Sequence, residues 1–145
     1  MDEYAYRILY NEGFHGWLYT INLGATTIWE KWNSLLEDGT ISDNSMNSFN
    51  HYAYGSVCET IYSRIAGLRN LEPGWKKVEI KPHFNYRIKK MEFAFNSIRG
   101  KYVIKWKVIN KYFYIIIIIP FGCQAIVEFP NGKKFSIKHG KFNYR

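Results

Sequence analysis

The chain has 145 residues, 47% hydrophobic and 22% charged, which excludes a disordered polymer and suits one ordinary domain or two small ones. Its net charge of +8 invites a nucleic-acid reading, but Lys and Arg are thin before Arg64 and then spread through strand-like sequence. No zinc-finger spacing, helix-turn-helix pattern or compact basic helix accompanies them, so no nucleic-acid partner is expected.

In chain order, Tyr4 to Tyr10 reads as a short helix with Ala5, Ile8 and Leu9 on one side. Gly13 to Gly24 carries Trp17, Leu18, Tyr19, Ile21 and Leu23 between glycines and reads as a turn packed on aromatics. A second helix is predicted from Thr27 to Leu36, burying Ile28, Trp32 and Leu35, with Trp29 as a further candidate, and ended by Glu37-Asp38-Gly39. Ile41 to Asn47 is small and polar, a loop of the kind that lines a site. A third helix is predicted from Asn50 to Ala66, with Ala53, Val57, Ile61 and Ile65 as its apolar stripe and Gly67 as its stop. Cys58 falls beside that stripe and is expected to be buried. Trp17, Trp29 and Trp32 cannot all face one partner, and the first helix begins without a lead-in. Both features predict helices shaped to pack in a larger helical assembly.

After Pro73-Gly74 the period falls from about 3.6 to about 2. Strands are predicted at Val78 to Lys81, Met91 to Asn96, Tyr102 to Ile109, Tyr112 to Ile119, Ala125 to Phe129 and Phe135 to Lys138, the last two joined by the Pro130-Asn131-Gly132 turn. The isoleucine run Ile115 to Ile119 fits a strand buried on both faces, or an aggregation hazard if left uncovered. Residues 1–71 therefore read as helices and 72–145 as an antiparallel sheet or sandwich, an α+β chain.

Cys58 and Cys123 form no CxxC pair, and His15, His51, His83 and His139 share no ligand spacing, so neither metal nor cofactor is expected. The longest apolar run, Tyr112 to Pro120, is too short to span a bilayer, and Met1-Asp2-Glu3 is acidic with no apolar stretch behind it. The expectation is a cytoplasmic chain with no membrane partner.

Two segments carry the candidate chemistry. Gly24-Ala25-Thr26-Thr27-Ile28-Trp29-Glu30-Lys31-Trp32 and Ser48-Phe49-Asn50-His51-Tyr52-Ala53 each set an ionisable group among aromatics. Aromatic faces pack on the apolar C–H surface of sugars while an acid does proton chemistry. Read alone, Thr27 and Glu30 also fit a capping box, and His51 fits a helix-start or core histidine. Trp29, beside Glu30, is the natural sugar-facing wall, with Trp32 the alternative.

These two segments, with Trp17-Leu18-Tyr19, Asp38-Gly39-Thr40-Ile41, Met46-Asn47 and Ile65-Ala66-Gly67-Leu68, resemble in order and spacing the C-terminal segment of bacterial α-L-rhamnosidases. That family is an inverting glycoside hydrolase family built on an (α/α)6 barrel with a C-terminal β-sandwich. The later turns at Gly100, Pro120 and Pro130-Asn131-Gly132, with Ser97 and Trp106, are similar to its sandwich. The resemblance implies terminal helices of the barrel in residues 1–71 and the β-sandwich domain in 72–145. It implies Glu30 as the general base, His51 as a rhamnose contact, a rhamnose-containing glycoside as ligand, and no cofactor. Inversion needs a second carboxyl roughly 6.5–9.5 Å from the base. The family's general acid lies upstream and has no counterpart here, which implies an upstream barrel fragment or self-association as partner. The rival expectation is a catalytically inert binding or structural β-sandwich module.

Overall fold

The computed structural model describes residues 2–42 and 46–145. It divides into two compact units, residues 1–57 and 58–145. No described helix is long and apolar enough to cross a membrane.

In the first unit, α1 (Asp2–Leu9) is followed by α2 (Trp17–Asn22), a helix where the glycine-flanked sequence reads as a turn. The chain doubles back at Gly16, where a Cβ would lie 2.1 Å from the Asn11 carbonyl oxygen, so no other residue fits there. The Asn11 carbonyl accepts from the Tyr19 amide at 3.2 Å.

The helix predicted over Thr27 to Leu36 does not form; the segment is a run of turns. Consecutive β-branched residues at Thr26, Thr27 and Ile28 weaken helix formation. Thr27 and Ser34 also spend their hydroxyls on backbone groups. Leu35 and Ile41 instead bridge antiparallel. Between them Leu36 N donates to Thr40 O at 2.9 Å and Gly39 takes φ of 81°, so Glu37-Asp38-Gly39 is a hairpin tip. Of the predicted Ile41 to Asn47 loop, residues 43–45, including Asp43, lie outside the described residues.

The third predicted helix is broken into a 3-10 turn (Tyr52–Tyr54), α3 (Val57–Thr60) and a π-helical turn (Ile61–Ile65). In the π turn Ala66 N reaches back to Ile61 O at 2.9 Å. Because the pitch changes twice, the stripe drawn for an ideal helix does not hold, and Cys58 is exposed rather than buried. Gly67 does stop the helix, with φ of 81° and the Lys81 carbonyl carbon 2.3 Å from where a Cβ would sit.

The second unit holds eight strands in two four-stranded sheets. One sheet contains β1 (Leu68–Asn70), β2 (Lys77–Ile80), β6 (Gln124–Glu128) and β7 (Lys134–Ile137) in the order β1-β2-β6-β7. The other contains β3 (Lys90–Ser97), β4 (Gly100–Ile109), β5 (Tyr112–Ile119) and β8 (Gly140–Tyr144) in the order β3-β4-β5-β8. The first strand, of three residues, is too short for its alternation to be read from sequence, and the last was not expected. Every pairing is antiparallel except β2 with β6, whose connection runs through the other sheet and returns in the same sense.

Alternation sets the sandwich core. Tyr102, Ile104 and Trp106 are buried on β4 while Lys101, Lys105 and Lys107 are exposed. On β5, Ile115, Ile117 and Ile119 are each 2% exposed, but Ile116 and Ile118 are only half-buried. The isoleucine run is thus fully buried on one face and not on both. Leu68, Val78, Ile80, Ala125, Val127 and Ile137 supply the buried side chains of the first sheet. Two long bonds tie connecting segments to this core: Tyr102 Oη donates to Trp75 O at 2.5 Å, and Trp106 Nε1 to Ile65 O at 3.1 Å.

Candidate active site

The two motif segments of the first unit are joined by their backbones. Glu30 N donates to Ser48 O at 2.8 Å and His51 N donates to Ile28 O at 2.8 Å. The Thr27 hydroxyl donates to Phe49 O. The bonds run in opposite directions, as across an antiparallel pair, with one more residue on the His51 side than on the Glu30 side. Such an excess kinks the chain and re-aims side chains. Opposite one another at the centre, Trp29 and Phe49 pack edge to face with centroids 5.3 Å apart.

This pairing holds the Glu30 and His51 segments side by side, with Glu30 bonded to Ser48 at one end and His51 to Ile28 at the other, although neither lies on the regular helix expected of it. The capping box is not formed: the Thr27 hydroxyl bonds Phe49, and the Glu30 amide bonds Ser48. Glu30 is half-buried. His51 caps the 3-10 turn, its Nδ1 accepting from Ala53 N at 3.0 Å. With Nδ1 as acceptor, the neutral ring carries its proton on Nε2, which then serves as a donor. His51 and Tyr52 are exposed, Tyr52 at 85%.

The two tryptophans differ. Trp29 is 7% exposed, held against Phe49. Trp32 is half-buried, stacked on Tyr54 at 5.0 Å and edge-on to Trp17 at 5.1 Å. The three-ring cluster of Trp17, Trp32 and Tyr54 connects α2, the Glu30 segment and the 3-10 turn after His51.

A second brace passes through Ser34, which is fully buried. Its Oγ donates to Lys31 O at 3.0 Å, and its carbonyl accepts from Asn47 Nδ2 at 2.9 Å and from Ser42 N at 3.2 Å. Lys31 Nζ donates to Met46 O at 2.6 Å. Ser34 had no sequence signal beyond small polar character in a predicted helix, and Asn47 only its place in a motif segment. Asp38 is pulled below the ordinary carboxylate value by the Thr40 hydroxyl and then by its amide, and is fully exposed. Among the described residues no group of three His, Cys, Asp or Glu could hold a metal ion.

Comparison with known proteins bears on this geometry. Residues 1–65 match the bacterial alpha-L-rhamnosidase 6 hairpin glycosidase domain, and residues 67–142 match the bacterial alpha-L-rhamnosidase C-terminal domain. The alpha-L-rhamnosidase of Formosa agariphila is 34% identical over 142 residues, covering 98% of this chain and 15% of that protein. That of Streptomyces avermitilis is 35% identical over 137 residues, covering 94% of this chain and 13% of the relative. Among solved structures, native α-L-rhamnosidase from Aspergillus terreus superposes with a TM-score of 0.91 at 32% identity, over 96% of this chain and 16% of that one. The Streptomyces avermitilis enzyme complexed with L-rhamnose gives 0.88 at 31% identity, over 97% and 16%. This chain spans 13–16% of the length of these relatives.

Proposed function

Because the chain belongs to the bacterial α-L-rhamnosidase family, we propose that it carries the general-base side of an inverting rhamnoside-hydrolysing site. Glu30 deprotonates the attacking water. His51 donates from Nε2 to a rhamnose hydroxyl, and Trp29, held by Phe49, stands beside the acid with only a narrow edge open to the sugar. The observation that carries this reading is the paired backbone bonding of residues 28–30 with 48–51, which holds the segments bearing the acid and the imidazole side by side. Its support includes the missing capping box, since a carboxylate tied to a helix amide is a poorer proton acceptor. The general acid comes from outside these 145 residues, so the isolated chain does not turn over. A rhamnose-containing glycoside is the substrate class.

A second reading, an inert β-sandwich module, draws on the distribution of the core. Of the largest fully buried side chains, Tyr102, Ile80, Ile104, Ile115, Val78 and Val127 lie in the second unit and Ser34 alone in the first.

One experiment separates them: hydrolysis of an aryl α-L-rhamnoside by a chimera in which this chain replaces the matching segment of the Streptomyces avermitilis enzyme. The chimera should release β-L-rhamnose first, by NMR. Glu30→Gln should lower kcat by about 10²–10⁴, the range for a lost acid–base group. Full activity of Glu30→Gln, or the α-anomer as first product, refutes the general-base assignment. A folded but inactive chimera favours the inert module.

A further inference from the structure

We propose that the outer face of the β3-β4-β5-β8 sheet of the second unit binds an acidic polysaccharide. The inference rests on the family's glycan chemistry for the ligand class, and on this sheet alone for the site.

Charge is segregated along the chain. Residues 58–145 hold 18 of the 20 Lys and Arg but only five of the 12 Asp and Glu. Residues 1–57 hold two and seven, so a compositional preference for lysine does not explain the excess. On the outer face, Lys101, Lys105 and Lys107 of β4 stand with Lys90 of β3 and Lys141 of β8, against one carboxylate, Glu92. Glu92 is already engaged by Lys105 at 2.6 Å. Lysines on an edge strand prevent aggregation, but β4 lies inside the sheet between β3 and β5, so its lysines guard no edge.

Two further observations point to an anion. Lys90 and Lys107 are directly opposed across β3 and β4. Like charges so placed destabilise a sheet and favour a ligand that neutralises them. They border a depression of about 390 Å³, also lined by Glu92, Lys105, Tyr114 and Asn143. Of its rings, Tyr114 already meets cations: Lys107 Nζ lies 5.9 Å and the Arg145 guanidinium 5.5 Å from its centroid. Tyr114 is half-buried and so a poor platform for the stacked bases that single-stranded nucleic acid requires. A chain of carboxylated sugars needs only the cations and the hollow.

The test is affinity electrophoresis of the 145-residue chain through polygalacturonate, with dextran as the neutral control and single-stranded DNA as the competitor. Retardation by polygalacturonate alone is expected, fading as salt is raised. Lys90→Gln with Lys107→Gln should weaken it roughly tenfold, the scale of two ionic contacts at low salt. The melting temperature should hold or rise, since a repulsion is removed. Lys76→Gln with Lys138→Gln, an equal loss of charge elsewhere, should leave retardation intact, as should Glu30→Gln. No retardation by polygalacturonate overturns the proposal. So does equal weakening by both double variants, preferential binding of DNA, or retardation traced to self-association in sedimentation.

Discussion

Trp106→Phe probes the bond that ties the helical connection to the sandwich. The indole N–H of Trp106 meets Ile65 O at 3.1 Å, with both residues almost fully buried. Ile65 ends the π-helical turn, so its carbonyl is one of those a helix terminus leaves without an internal partner. Phenylalanine cannot donate, and an unsatisfied buried carbonyl costs about 1–3 kcal/mol. The smaller ring also removes apolar volume between Phe84 and Phe113, whose centroids lie 6.4 and 5.8 Å from that of Trp106. That loss adds about 2 kcal/mol. The total, about 3–5 kcal/mol, is a large share of a typical domain's stability. Urea unfolding followed by far-UV circular dichroism reads it, and hydrogen exchange at the Ala66 amide should accelerate as the π turn loosens. Tyr102→Phe is the comparison, because it deletes only the hydroxyl that reaches Trp75 O. It should cost about 1–2 kcal/mol. If Trp106→Phe lies within about 1 kcal/mol of wild type, or Ala66 exchange is unchanged, the indole does not anchor the connection.

Three more outcomes are expected. Lys111→Gly should stabilise the chain by about 1 kcal/mol in the same unfolding assay, because Asn110 and Lys111 form the β4–β5 turn at φ of 48° and 68°, where a side chain is strained; a loss of stability would contradict the strain. Gly67→Ala should cost at least about 2 kcal/mol, since it adds a left-handed penalty to a backbone clash at 2.3 Å, and an unchanged midpoint would show that the Gly67–Lys81 approach is relaxed. Glu128 is held below its ordinary value of 4.5, first by the hydrogen bond from Lys81. A depressed folded value means the pair stabilises above the unfolded carboxylate pKa and is lost as pH falls through the folded one; Lys81→Gln should raise the Glu128 titration in carbon-13 NMR, and an unmoved titration would dismiss the pair.

Sequence by itself determined the middle strands of the sandwich. Period-2 alternation from Lys77 to Ile137 located β2 to β7 and the inward face of most of them. A strand's two faces are decided by neighbouring residues, which a linear pattern records. The α+β order and the family resemblance were likewise legible, because motif order survives any local conformation. What only the tertiary structure decided was the path through Thr27 to Ala66. There the apolar stripe suggested regular helices, but the backbone donors of Glu30 and His51 found partners about twenty residues away. A hydrogen bond between distant segments leaves no periodic trace in either. The parallel β2–β6 pair, the Trp106–Ile65 bond and the opposed Lys90 and Lys107 share that property. Each depends on register between strands, and register is a property of the folded chain rather than of any window of it.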